Sequence, residues 1–280
     1  MGWERISNIV YKRIGETRLM LDIYLPPNAG KKKIPVVMYF HGGGLQNGSK
    51  EAIGIKRDVI ERLAKEQIAY ISVNYRLINF KDIFTKDCIT DAKDALRFIK
   101  KEGHKYGLDA DKVVTWGISA GARLSQMLSF TDENDFKGDA ELFKYPVKPI
   151  GAISWCGPTA FHELYEGPLE MTPRLKQKLK KVTLEEDIDL AVKEVELITP
   201  VSHVGKNDPP LLMIQGDSDA TVNPQSAYIM EDYLKKVNVP YELIIVKNGR
   251  HPFWAGDNIE PSADEQSKTT ADFAIELLTK

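Results

Sequence analysis

Lys112-Val-Val-Thr-Trp116 runs directly into Gly117-Ile-Ser119-Ala-Gly121, and then into Ala122-Arg-Leu-Ser-Gln-Met-Leu-Ser129. A short apolar run, a turn with glycines two residues either side of a serine, and a helical stretch make a strand–turn–helix unit. The same alternation extends outward in both directions. Ile34-Pro-Val-Val-Met-Tyr-Phe40, Ile68-Ala-Tyr-Ile-Ser-Val-Asn-Tyr75, Ile150-Gly-Ala-Ile-Ser-Trp155, Leu211-Leu-Met-Ile214 and Tyr241-Glu-Leu-Ile-Ile-Val246 are further apolar runs bounded by Gly or Pro. Such runs suit strands buried on both faces of a parallel sheet. Between them lie helical patterns: Asp91 to Lys101, with Ala92, Ala95, Leu96 and Ile99 on one face, then Ser226 to Lys236 and Ala263 to Leu278. The alternation predicts an α/β fold with a mostly parallel sheet flanked by helices. Ile9 to Ile14 and Arg18 to Leu25 differ, and read as an antiparallel pair turning at Gly15-Glu-Thr17.

One stretch interrupts the pattern. From Gly157 to about Ile198 there is no strand signal. Thr172-Pro173 is a helix-start signal, and Thr183-Leu-Glu-Glu186 has capping-box spacing before a second helix. Residues 157–198 are expected to form a small helical cap inserted into a single domain spanning 1–280. Leu175, Leu179 and Val182 give that cap only a narrow apolar stripe, suited to packing on the core rather than to a lipid-binding lid. Phe161 and Tyr165, early in it, could line a pocket or fill the cap core.

Bulk properties narrow the classes. The chain has 280 residues, 42% apolar and 28% charged, enough for one large core. A net charge of -2 without a basic block gives no reason to expect a nucleic-acid partner. No apolar run nears the roughly 20 residues that span a bilayer, and Met-Gly-Trp-Glu-Arg carries no signal region, so a cytoplasmic protein is expected, or a secreted one whose leader has been removed. Cys88 and Cys156 are far apart with no metal-ligand spacing, and are expected as buried free thiols.

The serine turn carries chemistry in this context. A serine on a strained turn presents its hydroxyl outward, and the helix start behind it aims N–H groups at any negative charge formed nearby. A second signal follows the strand ending at Phe40: His41-Gly-Gly-Gly44, where a glycine run lets backbone N–H groups face a pocket. Serine needs a base. Of five histidines, His41 belongs to the glycine run, His104 ends a helical segment, and His162 falls in the cap. His251 lies in the loop after the last strand, at the end of the sheet where open α/β folds bind ligands, with His203 its main rival. For the orienting acid, Asp217 and Asp219 compete in Gln215-Gly-Asp217-Ser-Asp219. Asp219 lies further into the loop and nearer to a histidine's reach.

Together these residues resemble the α/β-hydrolase superfamily, and within it the HGGG-type carboxylesterase and lipase group, including hormone-sensitive-lipase-like and acetyl- or feruloyl-type carbohydrate esterases. The similarity runs from about Leu21 to Phe253 and takes in Lys93-Asp-Ala-Leu-Arg-Phe-Ile-Lys-Lys101, Tyr106-Gly-Leu-Asp-Ala-Asp-Lys-Val-Val114 and Pro209-Pro-Leu-Leu-Met-Ile-Gln-Gly-Asp-Ser-Asp219. The resemblance implies Ser119 as nucleophile, Asp219 as acid, His251 as base, and the N–H groups of Gly43, Gly44 and Ala120 as an oxyanion hole. It implies a small-molecule ester as substrate, with short-acyl or sugar- or aryl-linked esters expected over triglycerides, and no metal or organic cofactor. The chain departs from the group at Leu45, where many relatives have an aromatic residue, at Gly121-Ala122 in place of Gly-Gly, and at Arg250-His-Pro252 in place of Gly-His-Gly. Amide cleavage by the same triad, and a silent receptor on this fold, remain alternatives; oligomeric state is left open.

Overall fold

The computed structural model describes residues 3–27, 33–51, 57–160 and 188–280. Eight strands form one sheet: β1 (Glu4–Ile14), β2 (Thr17–Leu25), β3 (Ile34–Phe40), β4 (Ala69–Val73), β5 (Leu108–Ile118), β6 (Gly151–Trp155), β7 (Leu211–Gly216) and β8 (Tyr241–Val246). Their order is β1-β2-β4-β3-β5-β6-β7-β8. The β1–β2 and β2–β4 pairings are antiparallel; every pairing from β4–β3 to β7–β8 is parallel. Helices between the strands are α1 (Arg57–Lys65), α2 (Thr85–Glu102), α3 (Ala120–Phe130), α4 (Ile188–Leu197) and α5 (Gln225–Val237), and α6 (Ala263–Thr279) follows β8.

The central strands are apolar on both sides because helices cover both faces. One face packs Met38, Phe40, Ile71 and Val113 against Ile89, Ala92, Leu96 and Leu124 of α2 and α3. The other packs Val37, Tyr39, Val114 and Trp116 against Val59 and Leu63 of α1 and Ala271, Ala274 and Leu278 of α6. An aromatic column crosses that second face. Tyr24 meets Tyr70, Tyr70 meets Tyr39, Tyr39 meets Trp116, and Trp116 meets Trp155, which touches both Phe253 and Trp254.

Three elements begin earlier than the sequence pattern suggests. β1 starts at Glu4, not Ile9, because Glu4 to Ile6 pair with β2 across a register shift between Ile6 and Ile9. There Asn8 takes a φ of 60 and donates its N–H to Asp22 Oδ1 at 2.7 Å. α2 starts at Thr85, not Asp91: Asp87 caps the turn by accepting the Phe84 N–H at 2.8 Å, and Cys88 and Ile89 extend the buried stripe. β5 starts at Leu108, where Leu108 pairs with Ile34 before an irregularity in the ladder. In the stretch expected as a cap, Ile188–Leu197 is helical. Phe161, His162, Tyr165, Thr172, Leu175, Leu179, Val182 and the Thr183–Glu186 capping signal lie outside the described residues. Among the described residues no helix is long and apolar enough to cross a membrane.

Candidate active site

The carboxyl ends of β3, β5, β7 and β8 deliver four loops to one end of the sheet. Ser119 follows β5 and is the N-cap of α3, at φ 53 and ψ -121. That conformation is costly for a residue with a Cβ, so neighbouring structure must hold it. The Ser119 N–H donates to the Trp155 carbonyl at 2.7 Å. The two glycines of the turn are required by space: a Cβ on Gly117 would collide with the Gly121 carbonyl, and one on Gly121 with the carbonyls of Phe40 and His41. The N–H groups of Ala122 and Arg123 donate back to the Ser119 carbonyl at 3.0 and 3.3 Å. Those of Ala120 and Gly121 are first-turn donors with no acceptor inside the helix.

The close approach of Gly121 to Phe40 and His41 sets the glycine run beside the serine. A Cβ on Gly42 would stand 3.0 Å from the Ile118 carbonyl and 3.4 Å from Ser119 Cβ. Gly43 and Gly44 have φ of 113 and 62, and the Gly43 carbonyl accepts the N–H groups of Gln46 and Asn47, both at 3.0 Å. His41 is buried and stacks on Tyr75, with its Nδ1 2.8 Å from the Gly42 carbonyl. The Tyr75 hydroxyl donates to the His41 carbonyl at 2.7 Å. His41 thus braces the loop. Leu45, at φ 60, is buried in the core, and its carbonyl accepts the Ile78 N–H at 2.7 Å. Leu45 thus plugs the loop into the apolar layer beneath it.

The loops after β7 and β8 are laced together. Asp217 N–H donates to Val246 O at 3.0 Å and Ser218 N–H to Gly249 O at 2.9 Å. A Cβ on Gly216 would collide with the Gly249 carbonyl. This contact carries Asp219 to His251: His251 Nδ1 lies 2.8 Å from Asp219 Oδ2, and His251 Nε2 lies 3.0 Å from Ser119 Oγ. An ionised carboxylate only accepts, so Nδ1 bears the proton and Nε2 is left to accept the Ser119 O–H. The carboxylate is fully engaged. Its Oδ1 accepts the N–H groups of Thr221 (2.8 Å) and Val222 (2.9 Å), and Oδ2 also accepts Gln215 Nε2 at 3.0 Å. Burial pushes the Asp219 carboxyl up, but the His251, Val222 and Thr221 hydrogen bonds outweigh it and hold the group below the ordinary carboxylate range.

The rival residues stand elsewhere. Asp217 is exposed and accepts the Ser218 hydroxyl at 2.8 Å. His203 sits in a short 3-10 turn, Pro200–His203, with Nε2 2.8 Å from the Leu197 carbonyl. His104 is exposed. Gln215 and Tyr75 were not singled out in the sequence; a glutamine inside a buried strand, two residues before the first aspartate of the acid loop, was the available signal for the first. Cys156 packs behind the pair, its Sγ within 4.8 Å of ligand atoms of Asp219 and His251. Burial pushes its thiol well up, which disfavours the thiolate a metal would need. Cys88 and Cys156 are both free and buried.

The loop is anchored at its far end as well. Lys50 is buried and pairs with Asp22 of β2, while its N–H donates to Asn74 Oδ1 at 2.6 Å. Ser72 on β4 donates its hydroxyl to the Lys50 carbonyl at 2.8 Å.

Residues 21–234 match the BD-FAE family. That span contains Gly43, Gly44, Ser119, Ala120 and Asp219, and ends before His251. Among curated proteins, the chain is 26% identical over 222 residues to Esterase LipC of Mycobacterium tuberculosis, covering 78% of this chain and 53% of that protein. It is 27% identical over 246 residues to isoprenylcysteine alpha-carbonyl methylesterase ICME of Arabidopsis thaliana, covering 84% of this chain and 54% of that one. The chain therefore spans about half the length of these relatives. Among solved structures, a thermophilic esterase of Thermogutta terrifontis, Est2, superposes with a TM-score of 0.79 at 24% identity, over 96% of this chain and 91% of that one. The fold is that of the α/β-hydrolases.

Proposed function

This chain belongs to the BD-FAE family, and on that premise we propose that it hydrolyses carboxylic esters through an acyl-enzyme on Ser119. His251 is the base and then the acid, Asp219 holds the imidazole, and the N–H groups of Gly43, Gly44 and Ala120 receive the oxyanion. The observation that carries this reading is the unbroken relay from Ser119 Oγ to His251 Nε2 (3.0 Å) and from His251 Nδ1 to Asp219 Oδ2 (2.8 Å).

In the first half-reaction Ser119 Oγ bonds to the ester carbonyl carbon as its proton passes to His251 Nε2. The carbonyl electron pair moves onto oxygen, where each preorganised donor lowers the barrier by about 3 kcal/mol. Collapse breaks the carbon–alkoxy bond, and the alcohol leaves with the His251 proton. Water, deprotonated by the same nitrogen, then releases the acid and restores Ser119. The ionised Asp219 stabilises the imidazolium in both halves without taking the proton.

Short-acyl esters are the substrate class we favour. The Thermogutta esterase has been solved with butyrate bound and with propionate bound, and it shares the fold over nearly the whole chain. The test is hydrolysis of p-nitrophenyl acetate, butyrate and decanoate by wild type and Ser119→Ala, with the matched anilides alongside. Activity on the short esters that disappears in Ser119→Ala is the expected result. A folded wild type that turns over only the anilides moves the reading to an amidase. One inert on everything, or a substitution without effect, ends it.

A further inference from the structure

Behind the hydrogen bonds that join Ser119, His251 and Asp219, three kinds of donor atom converge. The Cys156 sulfur, a carboxylate oxygen of Asp219 and a ring nitrogen of His251 all lie within 4.8 Å of one another. Among the described residues this is the one such meeting of three or more cysteine, histidine and acidic side chains. Cys156 and Asp219 are buried, while 17% of the His251 side chain is exposed, so the imidazole is the group's contact with solvent. The sulfur is held in place by a costly backbone. Cys156 follows β6 at φ 42, a left-handed conformation unfavourable for a residue with a Cβ. Its N–H donates to the Ile214 carbonyl of β7 at 2.8 Å. The other buried thiol, Cys88, is occupied differently: it donates to the Arg76 carbonyl at 3.0 Å.

Sulfur, nitrogen and oxygen at this spacing make the donor set of a thiophilic divalent cation. Zinc binds thiolate at about 2.3 Å, imidazole at about 2.0–2.1 Å and carboxylate at about 2.0–2.2 Å, and a site with three protein ligands leaves its fourth position to water. Tetrahedral ligands at those lengths stand roughly 3.5 Å apart, so the group has to close by about 1 Å at its widest. Burial keeps the Cys156 thiol protonated in the free protein, which leaves the His251–Asp219 pair undisturbed. A coordinating cation deprotonates a thiol outright, so that barrier falls to a cation with strong affinity for sulfur. Magnesium and calcium prefer oxygen and do not meet this condition.

We propose that Cys156, Asp219 and His251 form an inhibitory site for a thiophilic divalent cation, with zinc and cadmium as its ligands. The cation takes the place of the proton that His251 Nδ1 shares with Asp219. The Cys156 S–H bond breaks, the sulfur electron pair bonds the metal, and the proton goes to solvent. Nδ1 releases its own proton to solvent and bonds the metal, and the imidazole stays neutral by taking a proton from solvent on Nε2. That N–H then donates to Ser119 Oγ instead of accepting from it, so the hydroxyl has lost its base. The inhibition rests on the esterase reading; the metal site does not.

Cadmium is the probe, because its bond to thiolate absorbs in the ultraviolet. Cadmium chloride is titrated into the metal-free wild type, Cys156→Ala and His251→Gln, with magnesium chloride as the control. The cadmium–thiolate band is read in all three, and p-nitrophenyl acetate turnover in the first two. In the wild type the band is expected to saturate at one cation per chain while turnover falls along the same curve, and EDTA should restore both. Cys156→Ala retains Cys88, yet should lose the band, and its own metal-free turnover should resist cadmium. His251→Gln keeps the sulfur but should bind cadmium more weakly by at least the roughly 10–100-fold that loss of an outer-shell partner costs a metal site. If Cys156→Ala does not fold, Cys156→Ser takes its place. The absence of a band in the wild type, a band that survives in the Cys156 variant, binding unchanged in His251→Gln, equal inhibition by magnesium, or a band that saturates without slowing an active enzyme overturns the proposal. If the band depends on Cys156 and His251 in a protein that hydrolyses no ester, the metal site stands and the esterase reading falls.

Discussion

The Lys50 ammonium lies 3.0 Å from the Asp22 carboxylate, and both side chains are almost wholly buried. This pair joins the end of the glycine-bearing loop to β2, two places along the sheet from β3. Asp22 also accepts Arg5 and the Asn8 N–H, so one carboxylate ties together β1, β2 and the loop.

Without Asp22, the buried Lys50 keeps only the exposed Glu51 carboxylate, 2.7 Å away, and Arg5 and the Asn8 N–H lose their acceptor. Asp22→Ala is expected to lower stability by about 3–5 kcal/mol, read by urea unfolding. It should also reduce turnover of p-nitrophenyl acetate, because Gly43 and Gly44 lose their anchor. An unfolding midpoint unchanged from wild type would show that the pair does not hold the loop.

Gly121 and Gly107 make a matched test of why glycines occur where they do. Both would gain only a methyl group in the alanine variants. Gly107, at φ 72, has nothing within 4 Å of its Cβ position, so Gly107→Ala carries only the left-handed backbone penalty of roughly 1–2 kcal/mol. Gly121→Ala drives a methyl into the carbonyls of Phe40 and His41, so it should lose more stability and shift the N–H groups proposed to receive the oxyanion. Equal losses, with activity retained in both, would contradict this.

The Asp219 carboxyl is held below its ordinary range in the folded state. The sign follows: ionised Asp219 favours the fold above the unfolded carboxylate pKa of about 3.9, and that contribution is lost as pH falls through the depressed folded value. Asp219→Asn should therefore lose stability less steeply than wild type on acidification below about pH 4, when melting temperature is followed against pH. Its kcat should fall by a factor on the order of 10⁴, as the imidazole loses its tautomer and its counter-charge. Parallel acid profiles for the two proteins would refute the assigned ionisation.

Gln215 donates to the same Asp219 oxygen that faces His251. On the proposed mechanism it is a positioning residue. Gln215→Leu should lower kcat with little change in KM, and should shift the pH–rate profile, because Oδ2 then loses one of the two side-chain donors that fix it beside the imidazole. Gln215→Glu introduces a second carboxylate beside the first, and should be worse than leucine at neutral pH. A variant whose kcat, KM and pH profile match wild type removes Gln215 from the machinery.

Local patterns were readable from residues in order; couplings between distant residues were not. The strand-rich runs around Val36 to Phe40 and Val113 to Trp116 announced a two-sided sheet because burial on both faces leaves no polar alternation. The serine turn and the acid loop could be read because their signals are contiguous. α1 escaped notice: its apolar set, Val59, Ile60, Leu63 and Ala64, spans barely two turns. The extra turns of α2 were hidden by Lys86, which is exposed, and by Asp87, which caps rather than packs. Nothing in the order of residues pairs Lys50 with Asp22, or sends Lys93 Nζ to the carbonyls of Asp132 and Asp135, both at 2.7 Å. Such contacts are products of the finished topology.

The aromatic column ends at the loop that carries His251. Trp254, three residues beyond that histidine, lies 5.5 Å from Trp155, which in turn lies 4.9 Å from Trp116. Indoles this close share their excitation, so this protein contains its own optical gauge of the His251 loop. Near-ultraviolet circular dichroism should carry a coupled tryptophan signal that weakens when the loop lifts from β6. Any such movement could then be followed without attaching a dye.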